Sequence, residues 1–77
     1  MSQPKLKPFV IMAKVYFWDI IPTPFVIPLG IALVKDRDEA WQEAIKRWPE
    51  STIIKPYLWW EVSLPVRIAA LEADRQI

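Results

Sequence analysis

The chain has 77 residues, 53% of them apolar, with ten basic and nine acidic side chains and a net charge of +1. This length predicts one small domain, which buries only about 60% of the surface its unfolded chain exposes and so has little stability in reserve. Histidine and cysteine are absent, which excludes disulfides, thiolate nucleophiles, histidine dyads and the usual zinc sites, and the interleaved charges offer no block for duplex DNA or an anionic membrane.

Residues 1–8 read as a flexible N-terminus. Lys5 and Lys7 precede an apolar run, but Lys14 interrupts it and no small-residue cleavage site follows, so no signal peptide is predicted. Val15 to Val34 is long enough for a membrane span. It contains Asp19, Pro22, Pro24, Pro28 and Gly30, however, and each interior proline costs a helix about 3 kcal/mol. A small membrane-associated protein is therefore only an alternative reading.

The same stretch fits two strands around a turn. Phe9 to Trp18 is rich in β-branched and aromatic residues. Asp19 to Pro24 breaks the pattern, and Phe25 to Lys35 resumes it. In this second strand the large residues, Phe25, Ile27, Leu29, Ile31 and Leu33, alternate with smaller ones. That alternation predicts a close backbone approach or a bulge near Gly30.

Asp36 to Pro49 is the clearest element, an amphipathic helix. Ala40, Trp41, Ala44, Ile45 and Trp48 form its apolar stripe. Asp36 and Glu39 have capping-box spacing, acids occupy the first turn and bases the last, and Pro49 ends it. Asp36 and Asp38 are thus read as capping residues rather than a catalytic pair.

Thr52 to Val62 is predicted as a third strand with Ile54, Leu58, Trp60 and Val62 toward the core. Ser63 to Ile77 is predicted as a short helix that docks through Leu64, Ile68 and Leu71. The fold class is α+β, in the order ββαβα, with one main helix on one face of a three-stranded mixed sheet. Proline cannot donate to a ladder. Pro28 and Pro56 therefore put the second and third strands outside and the first between them. The outer two then run parallel, joined by a crossover through the helix. The rival order places the second strand centrally, because it is apolar on both faces.

One constellation remains. Lys14, Tyr16 and Trp18 share the spacing Lys-x-Tyr-x-Trp with Lys55, Tyr57 and Trp59, and period two puts each triplet on one side of its strand. The pattern predicts an aromatic and lysine face turned away from the main helix, with Glu61 beside it. These seven residues are the candidate binding residues. The competing structural explanation is that the C-terminal helix covers this face and the rings serve only the sheet.

Rings and lysines on a sheet can stack single-stranded bases. The near-neutral charge favours a protein partner instead, since phosphate contacts dominate nucleic-acid affinity. The single glycine excludes a phosphate-cradling loop. Asp19 and Glu61 are the only other carboxylates placed to work as a pair, and the small size leaves little room for a catalytic cleft. The chain reads as a non-enzymatic, cytoplasmic protein-binding module: an adaptor, accessory subunit or stoichiometric inhibitor. It is expected to need no metal or cofactor and to form a homodimer that hides surplus apolar surface.

Overall fold

The computed structural model describes the backbone of residues 5–17 and 21–75 and the side chains of residues 5–15 and 25–75. Strands β1 (Lys7–Phe17) and β2 (Ile21–Val34) form a long hairpin, followed by helix α1 (Arg37–Arg47). Two short strands, β3 (Thr52–Ile53) and β4 (Tyr57–Leu58), lead into a 3-10 turn at Trp59–Glu61 and helix α2 (Leu64–Arg75). The strand order is β2-β1-β3, with β4 also paired to β1, as the prolines indicate. Among the described residues every ladder is antiparallel, so the sheet is antiparallel rather than mixed, and β4 makes it four-stranded rather than three-stranded. The outer strands therefore run in the same direction without touching, and α1 makes the crossover. At 14 residues, β2 is about 46 Å long at ~3.3 Å per residue, which accounts for most of the molecule's 55 Å long axis.

The first strand is central and carries most of the core. Phe9, Ile11 and Ala13 on one face, and Val10 and Met12 on the other, are all buried. The two helices cover opposite faces. On the α1 side, Phe9 and Ile11 meet Ala32, Val34, Ala40 and Ala44, with Leu29, Trp48, Ile53 and Leu58 packed around them. On the α2 side, Val10 and Met12 meet Ala70, with Ile31, Ile54, Tyr57, Trp59, Val62 and Val66 around them.

Helix α1 starts where the capping pattern places it. Asp36 has extended backbone and accepts the Glu39 N–H at 2.8 Å, satisfying one of the N–H groups that a helix start leaves unpaired. At the other end Trp48 donates its N–H to the Ala44 carbonyl before Pro49. The predicted stripe is only half buried. Ala40 and Ala44 face the sheet, whereas Trp41 is 38% exposed and Ile45 is 52% exposed. Small residues at the contact let the helix lie close to the strands, and this turns its larger neighbours to the flank.

Two irregularities in the sheet correct the simple alternation. Between Ile11 and Met12 the register skips from Gly30 to Pro28, which leaves Leu29 as the extra residue. A single extra residue reverses which side of the sheet each later side chain faces. Ile27 and Phe25 therefore share the α1 side with Ala32 and Val34, while Ile31 and Leu33 lie on the α2 side. The large residues of β2 do not form one face. Next to this bulge is Gly30, where an added Cβ would come within 3.0 Å of the Trp48 ring and 3.1 Å of Asp74 Oδ1. The close approach predicted there involves a ring from the end of α1 and a carboxylate from α2.

The third strand is broken rather than continuous. Ile53 pairs with Ala13 and Tyr57 with Val10, so the residues between them hold one more position than β1 offers. Pro56 is buried in this gap and cannot donate to a ladder. The chain after Leu58 turns away as a 3-10 turn. Of the predicted core residues in this segment, Leu58 joins the α1 side, Ile54 and Val62 join the α2 side, and Trp60 is 59% exposed.

Candidate functional site

The register of the sheet separates the two Lys-x-Tyr-x-Trp triplets. Lys14 lies opposite Thr52, and Tyr57 opposite Val10. Because the strands are antiparallel, Tyr16 and Tyr57 lie in opposite directions from that junction. Tyr16 is six residues along β1 from the partner of Tyr57, a distance of about 20 Å. Lys14 and Lys55 are the members that stay near one another, since the neighbouring Ile54 donates its N–H to the Met12 carbonyl at 3.1 Å. Both lysines are exposed. The side chain of Tyr16, and Trp18 altogether, lie outside the described residues.

Tyr57 and Trp59 do face away from α1, as period two requires, but α2 and the segment leading to it cover them. Both are half-buried against the Val10, Met12 and Ala70 cluster. Trp59 is fixed further by Arg67, whose Nε donates to its carbonyl at 2.9 Å and whose guanidinium sits 5.7 Å from its ring. Cations over tryptophan are attracted to the ring's negative face. Glu61 is equally engaged. One of its carboxylate oxygens accepts Arg37 Nη2 at 2.9 Å and the Leu58 N–H at 2.7 Å. The second contact is the return half of a capping box, with Leu58 at the cap position unable to offer the other half.

Beneath this segment is an open cavity of about 340 Å³, bounded by Met12, Val26, Ile54, Tyr57, Val62 and Val66. Its walls are apolar apart from Tyr57 and the nearby Glu61 and Ser63. Among the described residues no group of three or more acidic side chains is placed to hold a metal ion. No helix among them is long and apolar enough to cross a membrane.

The larger apolar surface lies elsewhere. Leu64, Ile68 and Leu71, the stripe predicted to dock α2, point outward with 63%, 49% and 45% of their surface exposed. The helix docks instead through Val66 and Ala70. The sequence contains both stripes, and the one with the smaller residues is buried, while Asp74, one turn beyond Ala70, accepts the Ile31 N–H at the edge of β2. Trp60 adds a fourth large exposed side chain just before the helix.

Comparison with known protein families, with curated proteins and with solved structures finds no match.

Proposed function

We propose that the chain is a small, non-enzymatic, cytoplasmic protein-binding module, acting as an adaptor, accessory subunit or stoichiometric inhibitor. The observation that carries this reading is the exposed row Leu64, Ile68 and Leu71 on α2, with Trp60 preceding it. Residues at i, i+4 and i+7 make a continuous ridge on a helix, and large exposed apolar ridges are characteristic of surfaces that meet another protein. Tryptophan and leucine ridges supply contact area, and the neighbouring Arg75 and Glu72 supply a polar rim of the kind interfaces carry. The Lys14 and Lys55 corner of the sheet is the second part of the proposed surface, where charge would act on association rate more than on affinity. A two-fold homodimer through the α2 ridge is the simplest assembly that hides it.

The test is affinity capture with tagged protein, run beside a nuclease-treated duplicate and beside an Ile68→Ser/Leu71→Ser variant. A protein retained by the wild type, indifferent to nuclease and lost by the variant supports the reading. Material that disappears with nuclease supports single-stranded nucleic acid instead and overturns it. Sedimentation across a concentration series reports the dimer, which the same variant should dissociate.

A further inference from the structure

Among the described residues strand β2 is an edge strand, paired to β1 on one side alone. At Ile31 both outward backbone groups are taken, and by side chains from two different helices. Its N–H donates to Asp74 Oδ1 of α2 at 3.3 Å, and its carbonyl accepts Arg47 Nη1 of α1 at 2.9 Å. A donor and an acceptor exchanged at one residue are what an added antiparallel strand would itself offer there.

We propose that Asp74 and Arg47 together close the β2 edge against strand addition by a second copy of this chain. The occupant they exclude is indicated by the edge itself. Leu29-Gly-Ile-Ala-Leu-Val34 holds six residues without charge or proline, the composition that favours self-pairing of identical strands. Pro28 ends the stretch on one side. A groove of about 340 Å³ lies along Ile31 to Val34, lined on its other side by Glu39, Glu43 and Arg47, so this part of the edge is open except where the arginine spans it. Leu33, next in the outward phase of the pleat, is 64% exposed and would be the second point of a self-paired ladder.

The geometry around the clamp is built for it. Gly30 lets Asp74 come close, since a Cβ there would sit 3.1 Å from its carboxylate. Arg47 is held over the Trp48 ring at 5.3 Å, and its Nε lies 4.0 Å from Glu43, while Nη1 reaches the strand. Neither residue is used by the α2 ridge, so this inference does not depend on that ridge being an interface. Where the chain is already a two-fold dimer, a second self-pairing contact at β2 extends it into open chains rather than closing it.

The test compares wild type, Asp74→Ala/Arg47→Ala, and that double variant carrying Leu33→Pro, by sedimentation across a concentration series and by the infrared band of intermolecular strands. Proline at Leu33 removes an outward N–H that β1 does not use and blocks pairing at an edge. The expected result is a mean mass that climbs with concentration beyond that of a dimer only in the double variant, with that further rise lost on adding Leu33→Pro. Circular dichroism shows whether each protein is folded. If the double variant is unfolded, the single variants Asp74→Asn and Arg47→Gln are put through the same comparison. A folded double variant that keeps the wild-type mass, or growth that survives Leu33→Pro, overturns the proposal. So do single variants, examined for that reason, that show no rise.

Discussion

Arg37 and Glu61, from the first turn of α1 and the end of the 3-10 turn, form a 2.9 Å ion pair that ties the broken third strand to the main helix. The same guanidinium donates from Nε to the Pro56 carbonyl at 2.9 Å and lies 6.0 Å from the Phe9 ring. Glu61 in turn holds the Leu58 N–H. One arginine thus braces both ends of β4, a two-residue strand that could not hold its place through two ladder positions alone.

Arg37→Ala is expected to cost more than Glu61→Gln. Both side chains are more than a third exposed, so their pairing is worth only about 0.2–1 kcal/mol in a double-mutant cycle. Arg37→Ala also loses the bond to Pro56, worth about 0.5–1.5 kcal/mol. Urea unfolding of the two single variants and the double variant measures this. Equal losses in the two singles would show that the Pro56 contact contributes nothing.

The orientation of α1 predicts a clear ranking. Ile11 is fully buried beneath it, and Ile11→Ala should destabilise by about 2–5 kcal/mol. Trp41→Ala should cost less than Ile11→Ala, because its ring lies at the flank of the contact. Ile45→Ala, half exposed, should cost under about 1 kcal/mol. Chemical denaturation ranks the three, and a Trp41→Ala loss as large as that of Ile11→Ala would mean the helix is turned toward its tryptophan.

Gly30→Ala should be destabilising although its backbone suits any residue. The added methyl meets the Trp48 ring at 3.0 and 3.2 Å and Asp74 at 3.1 Å, and crowding of this kind costs about 1–3 kcal/mol. Gly30→Ala combined with Trp48→Leu should recover part of the loss. A lower thermal midpoint for the single variant, partly restored in the pair, is the expected outcome; an unchanged midpoint means that the ring moves aside freely.

The lysines and aromatics of the two triplets should behave differently. Trp59→Ala removes a half-buried ring under Arg67 and should lower stability. Lys14→Ala/Lys55→Ala, at exposed positions, should leave stability within about 0.5 kcal/mol of wild type. Titration with mixed-sequence single-stranded DNA and RNA at low salt, followed by tryptophan fluorescence, is expected to show no saturable quenching. Saturable quenching that the lysine variant weakens and salt abolishes is the pattern of a strand binder, and it would displace the protein-binding reading.

Local chemistry determined a great deal here. Asp36, the acid-to-base gradient and Pro49 define α1 through contacts within a few residues, so its limits are legible in the sequence. The strand order follows from Pro28 and Pro56, since a missing N–H disfavours the interior of a central ladder; Pro8, the proline of β1, sits at the start of that strand. The absence of histidine and cysteine removes whole classes of chemistry without reference to any fold. The tertiary structure decided what depends on register and on competition between faces. One extra residue at Leu29 reversed the sides of β2, and one at the Pro56 gap broke the third strand. Antiparallel pairing then sent Tyr16 and Tyr57 toward opposite ends of β1. On α2 two apolar stripes were available, and burial of the smaller one, Val66 and Ala70, left Leu64, Ile68 and Leu71 in solvent. Periodicity identifies such stripes but does not rank them, because the choice depends on how closely a helix can approach a strand, and here Ala70 is buried against β1 while Asp74 reaches the backbone of β2.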